Sequence, residues 1–297
     1  MKQRILMIIV TILLTACSSI PKEARVQAVN TQKDQAAVYL ERGHREYTWD
    51  NYESALHQYM NAFTLSSSVD WQEGMVKSLV HLSRASDRMK ESVRAKIYLD
   101  QAVDLMTEIE SLELNTLVLN RKTEWFLFND TPKSALQLND DVLKNIDKLK
   151  GEEAGEVWRI RAVVLKAMKD YDQALIAIEK ALERDQKGNY LSELASDYYI
   201  RASVLSLSGR EEEAAISMTY ALEKDKFIEN TPGIAQDLYG LGLIYEKIGE
   251  NEKANHYFQR SYLVQKGANR NDIPEKLLEK LQNLENGSPW IKDTDAF

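Results

Sequence analysis

The chain has a single cysteine, Cys17, in 297 residues, so no internal disulfide can close a loop. That one thiol and four scattered histidines do not set out a thiolate-rich metal site. Five prolines and 12 glycines are too little turn chemistry for a strand-rich sandwich, while 44% apolar residues are enough for a long core; a mostly helical chain is expected. Basic charge is also short. With 38 Lys and Arg against 46 Asp and Glu, the formal charge is −8, and no counterion-release term favours a nucleic-acid duplex.

Catalytic signatures are missing as well. His44 and His57 lie thirteen apart on different expected helices, His81 and His256 are distant in sequence, and no G-x-S-x-G elbow occurs. Gly240-Leu241-Gly242 falls inside a helical pattern, where close packing accounts for it better than a phosphate cradle. The acidic runs Glu152-Glu153 and Glu211-Glu212-Glu213 open expected helices, where the dipole favours negative charge. The expectation is a protein with no catalytic residue, no metal and no cofactor.

The one long apolar run is N-terminal. Lys2 and Arg4 precede Ile5 to Leu14, and Thr15, Ala16 and Cys17 follow, which is the three-part layout of a secretory signal. Leu14-Thr15-Ala16-Cys17 resembles a bacterial lipobox. That resemblance implies acylation of Cys17, removal of residues 1–16 and, with Ser18 rather than Asp following, an outer-membrane anchor facing the periplasm of a two-membrane cell. Several acyl chains make such anchoring stable where one is marginal. A buried N-terminal helix, an uncleaved anchor and an unmodified thiol are the plain alternatives. Residues 17–33 read as a lipidated tether.

Beyond the tether one theme recurs. YDQALIAIEKALERD (171–185), EEEAAISMTYALEKD (211–225) and NEKANHYFQRSYLVQ (251–265) align on Ala174, Ala214 and Ala254. The same register reaches back to Ala135, Ala95 and Ala55, a period of 39 or 40 residues through six units. Within a unit, Ala174, Ile178 and Ala181 share one helix face. The preceding helix carries a small residue where two helices cross, at Gly43, Ala162, Ala202 and Gly242, with a large residue four before it. Unit two shows Leu79, Ser83 and Ser86 instead, and unit three Leu119, Thr123 and Phe126, with no aromatic at Asn139. Leu277, Leu278, Leu281 and Leu284 mark a last amphipathic helix, so the repeat domain is expected over 34–286 and a tail over 287–297.

These residues resemble the tetratricopeptide repeat, with a period longer than that family's usual one. The resemblance implies an all-α, right-handed superhelix of helix pairs whose first helices line a concave groove; another helical repeat family is the alternative. One turn-based frame then selects His44, Tyr47, Arg84, Asn120, Glu124, Arg159, Tyr199 and Tyr239 as groove-facing. Asn120 would bond backbone amides, Arg84 and Arg159 would meet carboxylates, and the tyrosines would supply contact area. Each aromatic also reads as helix-pair packing. The expected partner is a protein or extended peptide, with the membrane reached through the N-terminal lipid. The expected role is an envelope-assembly scaffold or, alternatively, a regulator or stabiliser of an envelope enzyme such as a peptidoglycan hydrolase.

Overall fold

A computed structural model describes residues 31–129, 131–268 and 273–282. Among them the chain forms thirteen α-helices and no strand. They pair as α1 (Thr31–Thr48) with α2 (Tyr52–Ser68), α3 (Gln72–Arg88) with α4 (Ser92–Leu105), and α5 (Leu112–Phe128) with α6 (Pro132–Leu143). The series continues with α7 (Glu153–Ala167) and α8 (Tyr171–Gly188), α9 (Leu191–Leu207) and α10 (Glu211–Phe227), and α11 (Thr231–Ile248) and α12 (Asn251–Gly267). The short α13 (Glu275–Gln282) closes the array, burying Leu277 and Leu281 against Ala254, Phe258 and Tyr262. Cys17, residues 17–30 of the expected tether and Leu284 lie outside the described residues, while Thr31, Gln32 and Lys33, expected in the tether, form the first turn of α1.

The period follows from the turns. In the regular part of the array an N–H five residues on closes each helix end, as in Asn51 N to Glu46 O, Trp71 N to Ser66 O, Tyr190 N to Asp185 O and Glu250 N to Tyr245 O, each 2.8 to 3.0 Å. These are Schellman closures, and each puts one residue in the left-handed region. Glycine fills that position at Gly209 (φ +79°) and Gly249 (φ +90°), whereas Asp50, Asp70, Lys90, Lys169, Asn189 and Glu229 adopt it without being glycine. A seventeen-residue helix plus a three-residue turn gives twenty residues, and two such segments give the repeat. The rule lapses around repeat three, where 3₁₀ turns at Met106–Glu108 and Ile146–Lys148 replace it.

The register alanines are the core of the array. Ala55, Ala95, Ala135, Ala174, Ala214 and Ala254 are all buried, and so are Gly43, Ser83, Thr123, Ala162, Ala202 and Gly242 opposite them. Size is complementary across the crossing. A Cβ on Gly43 would stand 2.4 Å from the Tyr59 ring, and one on Gly242 2.3 Å from Phe258, so glycine faces an aromatic ring. Alanine faces Ile178 and Met218 in repeats four and five.

Repeats two and three use polar chemistry at the same crossing. Ser83 Oγ donates to Ala95 O (2.7 Å), and Asn139 Nδ2 donates to Val157 O (3.1 Å). Arg121 is fully buried, bonded through Nε to Ser83 Oγ (2.9 Å) and through Nη2 to Asp87. Thr131 and Asn230 stand at N-cap positions beside Pro132 and Pro232, but neither side chain makes a cap bond; Asn230 Nδ2 turns back to Asp225 Oδ1 (2.9 Å). Finally, the array bends far enough for its ends to meet. Thr48, Trp49 and Asp50 share a 150 Å³ pocket with Pro232, Tyr239 and Leu277.

Candidate functional site

Successive first helices, α1, α3, α5, α7, α9 and α11, pack directly on one another, while successive second helices do not to a comparable degree. The first helices therefore form the inner, concave wall. Two hollows open on it. The larger, about 690 Å³, collects side chains from α1, α3, α5, α7 and α9, among them His44, Glu113, Glu153 and Glu193. The smaller, about 280 Å³, is lined by Tyr47, Arg84, Glu124, Leu127, Phe128 and Val163. Arg84 borders both.

Ion pairs run along the floor. Arg84 holds Glu124 with two bonds, Nε to Oε2 at 2.8 Å and Nη2 to Oε1 at 3.0 Å, and has Glu156 Oε1 at 3.6 Å. Arg159 donates to Asp197 (2.5 Å), Glu193 (2.6 Å) and Asp185 (2.6 Å). Burial weakens each guanidinium, but the facing carboxylates outweigh it and hold both arginines above their ordinary range. The carboxylates expected for Arg84 and Arg159 are thus present within the chain itself.

Asn120 departs from its expected place. It is fully buried, with Nδ2 donating to Glu156 Oε2 at 3.2 Å and Oδ1 without a partner, so it does not offer its amide to a groove ligand. The position three residues before the small crossing residue also buries Leu40 and Val80, because in the first three repeats neighbouring first helices close over it. The frame fails there for that reason. Tyr47 and Glu124 line the smaller hollow, and Tyr199 is exposed. Tyr239 lies against Phe258 (ring centroids 5.6 Å) and borders the pocket where the array ends meet.

His44 finds an unexpected neighbour in His81, with ring centroids 4.3 Å apart and Tyr59 stacked on His81 at 5.2 Å. Enclosure by the groove walls and then the Arg84 charge pull the His44 imidazolium down to about 4, and burial lowers His81 as well. Both rings are neutral at neutral pH. The signal was in the spacing: 37 residues in a 40-residue period displaces two residues by one helical turn on adjoining first helices. Arg121 gave less signal, because a lone arginine in an irregular repeat looks like a surface charge.

Carboxyl pairs mark two joints between repeats. Asp185 and Asp197 meet between repeats four and five, and Asp225 and Asp237 at the homologous joint one repeat later. All four are buried. Burial first, then the partner carboxylate, raises Asp237 to about 9; burial raises Asp197 to about 8 although Arg159 opposes it. Each pair therefore shares a proton at neutral pH, with one carboxyl donating to the other. Protonated Asp237 is the donor in its pair and Asp225 the acceptor, which gives a partner to a carboxyl whose Oδ2 otherwise has none. Neither pair opens on a cavity in the manner of an acid and base awaiting substrate.

Comparison with known proteins agrees with this geometry. The tetratricopeptide repeat family matches residues 156–187, which span the α7–α8 pair. No curated protein sequence matches the chain. Among solved structures, BtubC (BKLC) from P. vanneervenii is 15% identical with a TM-score of 0.57, over 82% of this chain and 93% of that one. Aspartyl phosphate phosphatase F from Bacillus subtilis is 11% identical with a TM-score of 0.58, over 86% and 80%. PlcR from Bacillus thuringiensis, in complex with the peptide PapR7 and DNA, is 17% identical with a TM-score of 0.56, over 66% and 71%. The chain is a tetratricopeptide-like solenoid.

Proposed function

We propose that this protein is a lipid-tethered, non-catalytic regulator that acts by holding a peptide or a flexible segment of a protein in its concave groove. The observation that carries the proposal is the pair of hollows on the inner wall, built from side chains of five successive first helices and joined at Arg84. Surfaces assembled from consecutive repeats suit extended ligands. PlcR, of similar fold, was solved with a peptide bound, which favours a ligand-responsive regulator over a passive assembly scaffold. The tether is supported by Leu14-Thr15-Ala16-Cys17, and Ser18 in place of Asp supports an outer-membrane, periplasm-facing position in a two-membrane cell. Accessory control of an envelope enzyme is the role that joins the two features.

A photo-crosslinking residue placed at Tyr47 or Phe128, and for comparison at the exposed Glu212, tests this in intact envelopes. Adducts at the two groove positions and none at Glu212 are expected. Adducts confined to Glu212 would move the binding surface to the convex side.

A further inference from the structure

The larger hollow carries more negative charge than its own cations neutralise. Lys77 is held by Glu73 (2.7 Å), Arg84 by Glu124 and Glu156, and Arg159 by Asp185, Glu193 and Asp197. Glu113, Glu152 and Glu153 line the same hollow and form no ion pair among the described residues. Burial and then the carboxylates of Glu193, Glu153 and Glu156 raise Glu152 above its ordinary range although Arg159 opposes them, as expected of a site with more carboxylates than cations. The smaller hollow is the opposite in character. Leu127, Phe128, Val163 and the Tyr47 ring form its walls, and the Phe128 side chain is 49% exposed.

The two hollows lie at opposite ends of the same helices. Glu113 opens α5 and Phe128 closes it; Glu153 opens α7 and Val163 lies in its last two turns. Fifteen residues of helix separate Glu113 from Phe128 by about 22 Å. An extended chain covers that distance in about six or seven residues.

Resting on the groove as the binding surface, we propose that its occupant is an extended peptide segment with adjacent lysine or arginine residues about six positions from an aromatic or large aliphatic residue. The basic residues sit among Glu113, Glu152 and Glu153, and the apolar one covers Phe128 and Leu127. A free polyamine or a metal ion would answer the carboxylates but leave the apolar hollow uncovered. A nucleic acid would meet repulsion from the acidic hollow.

Fluorescence anisotropy with the purified full chain tests the proposal. The probe is a labelled octapeptide with lysines at positions 1 and 2, serine and glycine at positions 3 to 6, and phenylalanine and leucine at positions 7 and 8. One control replaces both lysines by glutamate, and another replaces the last two residues by serine. The first probe should bind at least ten-fold tighter than either control, and its affinity should fall with added salt. Combined Glu113→Gln, Glu152→Gln and Glu153→Gln should weaken it ten-fold or more and leave the glutamate control unchanged or tighter. Phe128→Ala should weaken the first probe and not the serine control, and Glu212→Gln on the convex side should change nothing; circular dichroism verifies equal helicity.

Equal affinity for the lysine and glutamate probes, no binding of the lysine probe, or full affinity in the triple Gln variant would overturn the proposal. Probes bound without charge preference but lost in Phe128→Ala would leave the groove as the binding surface and remove only the basic segment. Crosslinks confined to Glu212 would remove both.

Discussion

Asp237→Asn separates a buried acid that keeps its proton from one that merely fills space. In the folded chain Asp237 holds its proton up to about pH 9, while an aspartate in the unfolded chain releases it near pH 4. Between those values the folded state binds one more proton than the unfolded state. Unfolding free energy then falls as pH rises, by about 1.4 kcal/mol per pH unit for this pair. The contribution is complete below about pH 4 and is lost progressively as pH rises toward 9. Asparagine reproduces the protonated carboxyl, since its amide nitrogen donates to Asp225 and its oxygen takes the other position, but it carries no proton to lose. From pH 6 to pH 8 the wild type should therefore lose about 3 kcal/mol relative to the variant, which is roughly 5–10 °C of melting temperature for a domain of this size. Paired thermal melts at half-unit pH intervals measure the difference between the two slopes, cancelling every other titrating group. Parallel curves would refute the shared proton, and a variant less stable by a constant amount would show that only packing was disturbed.

Four further outcomes follow from other parts of the array. Ala214→Leu overpacks a fully buried crossing and should cost about 1–3 kcal/mol, while Glu212→Ala at an exposed helix start should cost well under that in the same melts. Arg121→Met leaves Asp87 buried without its cation and should cost about 3–5 kcal/mol, most of which Asp87→Leu in the same chain should restore; failure of the double variant to recover would deny the pair its role. Lys169→Gly relieves a left-handed residue in an otherwise glycine-compatible turn and should raise the denaturation midpoint by the equivalent of roughly 1 kcal/mol. Cys17→Ser should abolish lipid addition without altering the melt of the repeat domain, as read by intact mass and calorimetry.

Periodicity made the array legible because it depends on one geometric requirement, a small residue where helices cross, repeated every two helices. Ala174, Ala214 and Ala254 state that requirement plainly. Ser83 and Thr123 satisfy it in polar form and Asn139 replaces the large apolar residue of the facing helix, so repeats two and three looked weak in sequence while folding in the same register. The groove was less legible. A frame that locates a helix face cannot tell how closely the next helix covers it, and coverage is what buried Asn120. Ion pairing was hidden for a related reason. Arg159 meets Asp185, Glu193 and Asp197 on two other helices, 26 to 38 residues away, and a sequence offers many carboxylates at such distances. The proton-sharing joints were written in the repeat itself, since Asp185 and Asp225 recur forty residues apart, as do Asp197 and Asp237.

The meeting of the two array ends around Thr48, Trp49, Asp50, Pro232, Tyr239 and Leu277 alters the mechanics of the whole chain. An open solenoid behaves as a spring with free ends, able to widen or tighten by small rotations at every joint. A spring whose ends are clasped is a bracelet, and its bore changes size only if the clasp slips or several joints bend together. Stiffness at a joint such as Asp225 with Asp237 is transmitted around the loop to the side chains lining the bore, and the resistance of the bracelet to opening becomes a property of all six repeats at once.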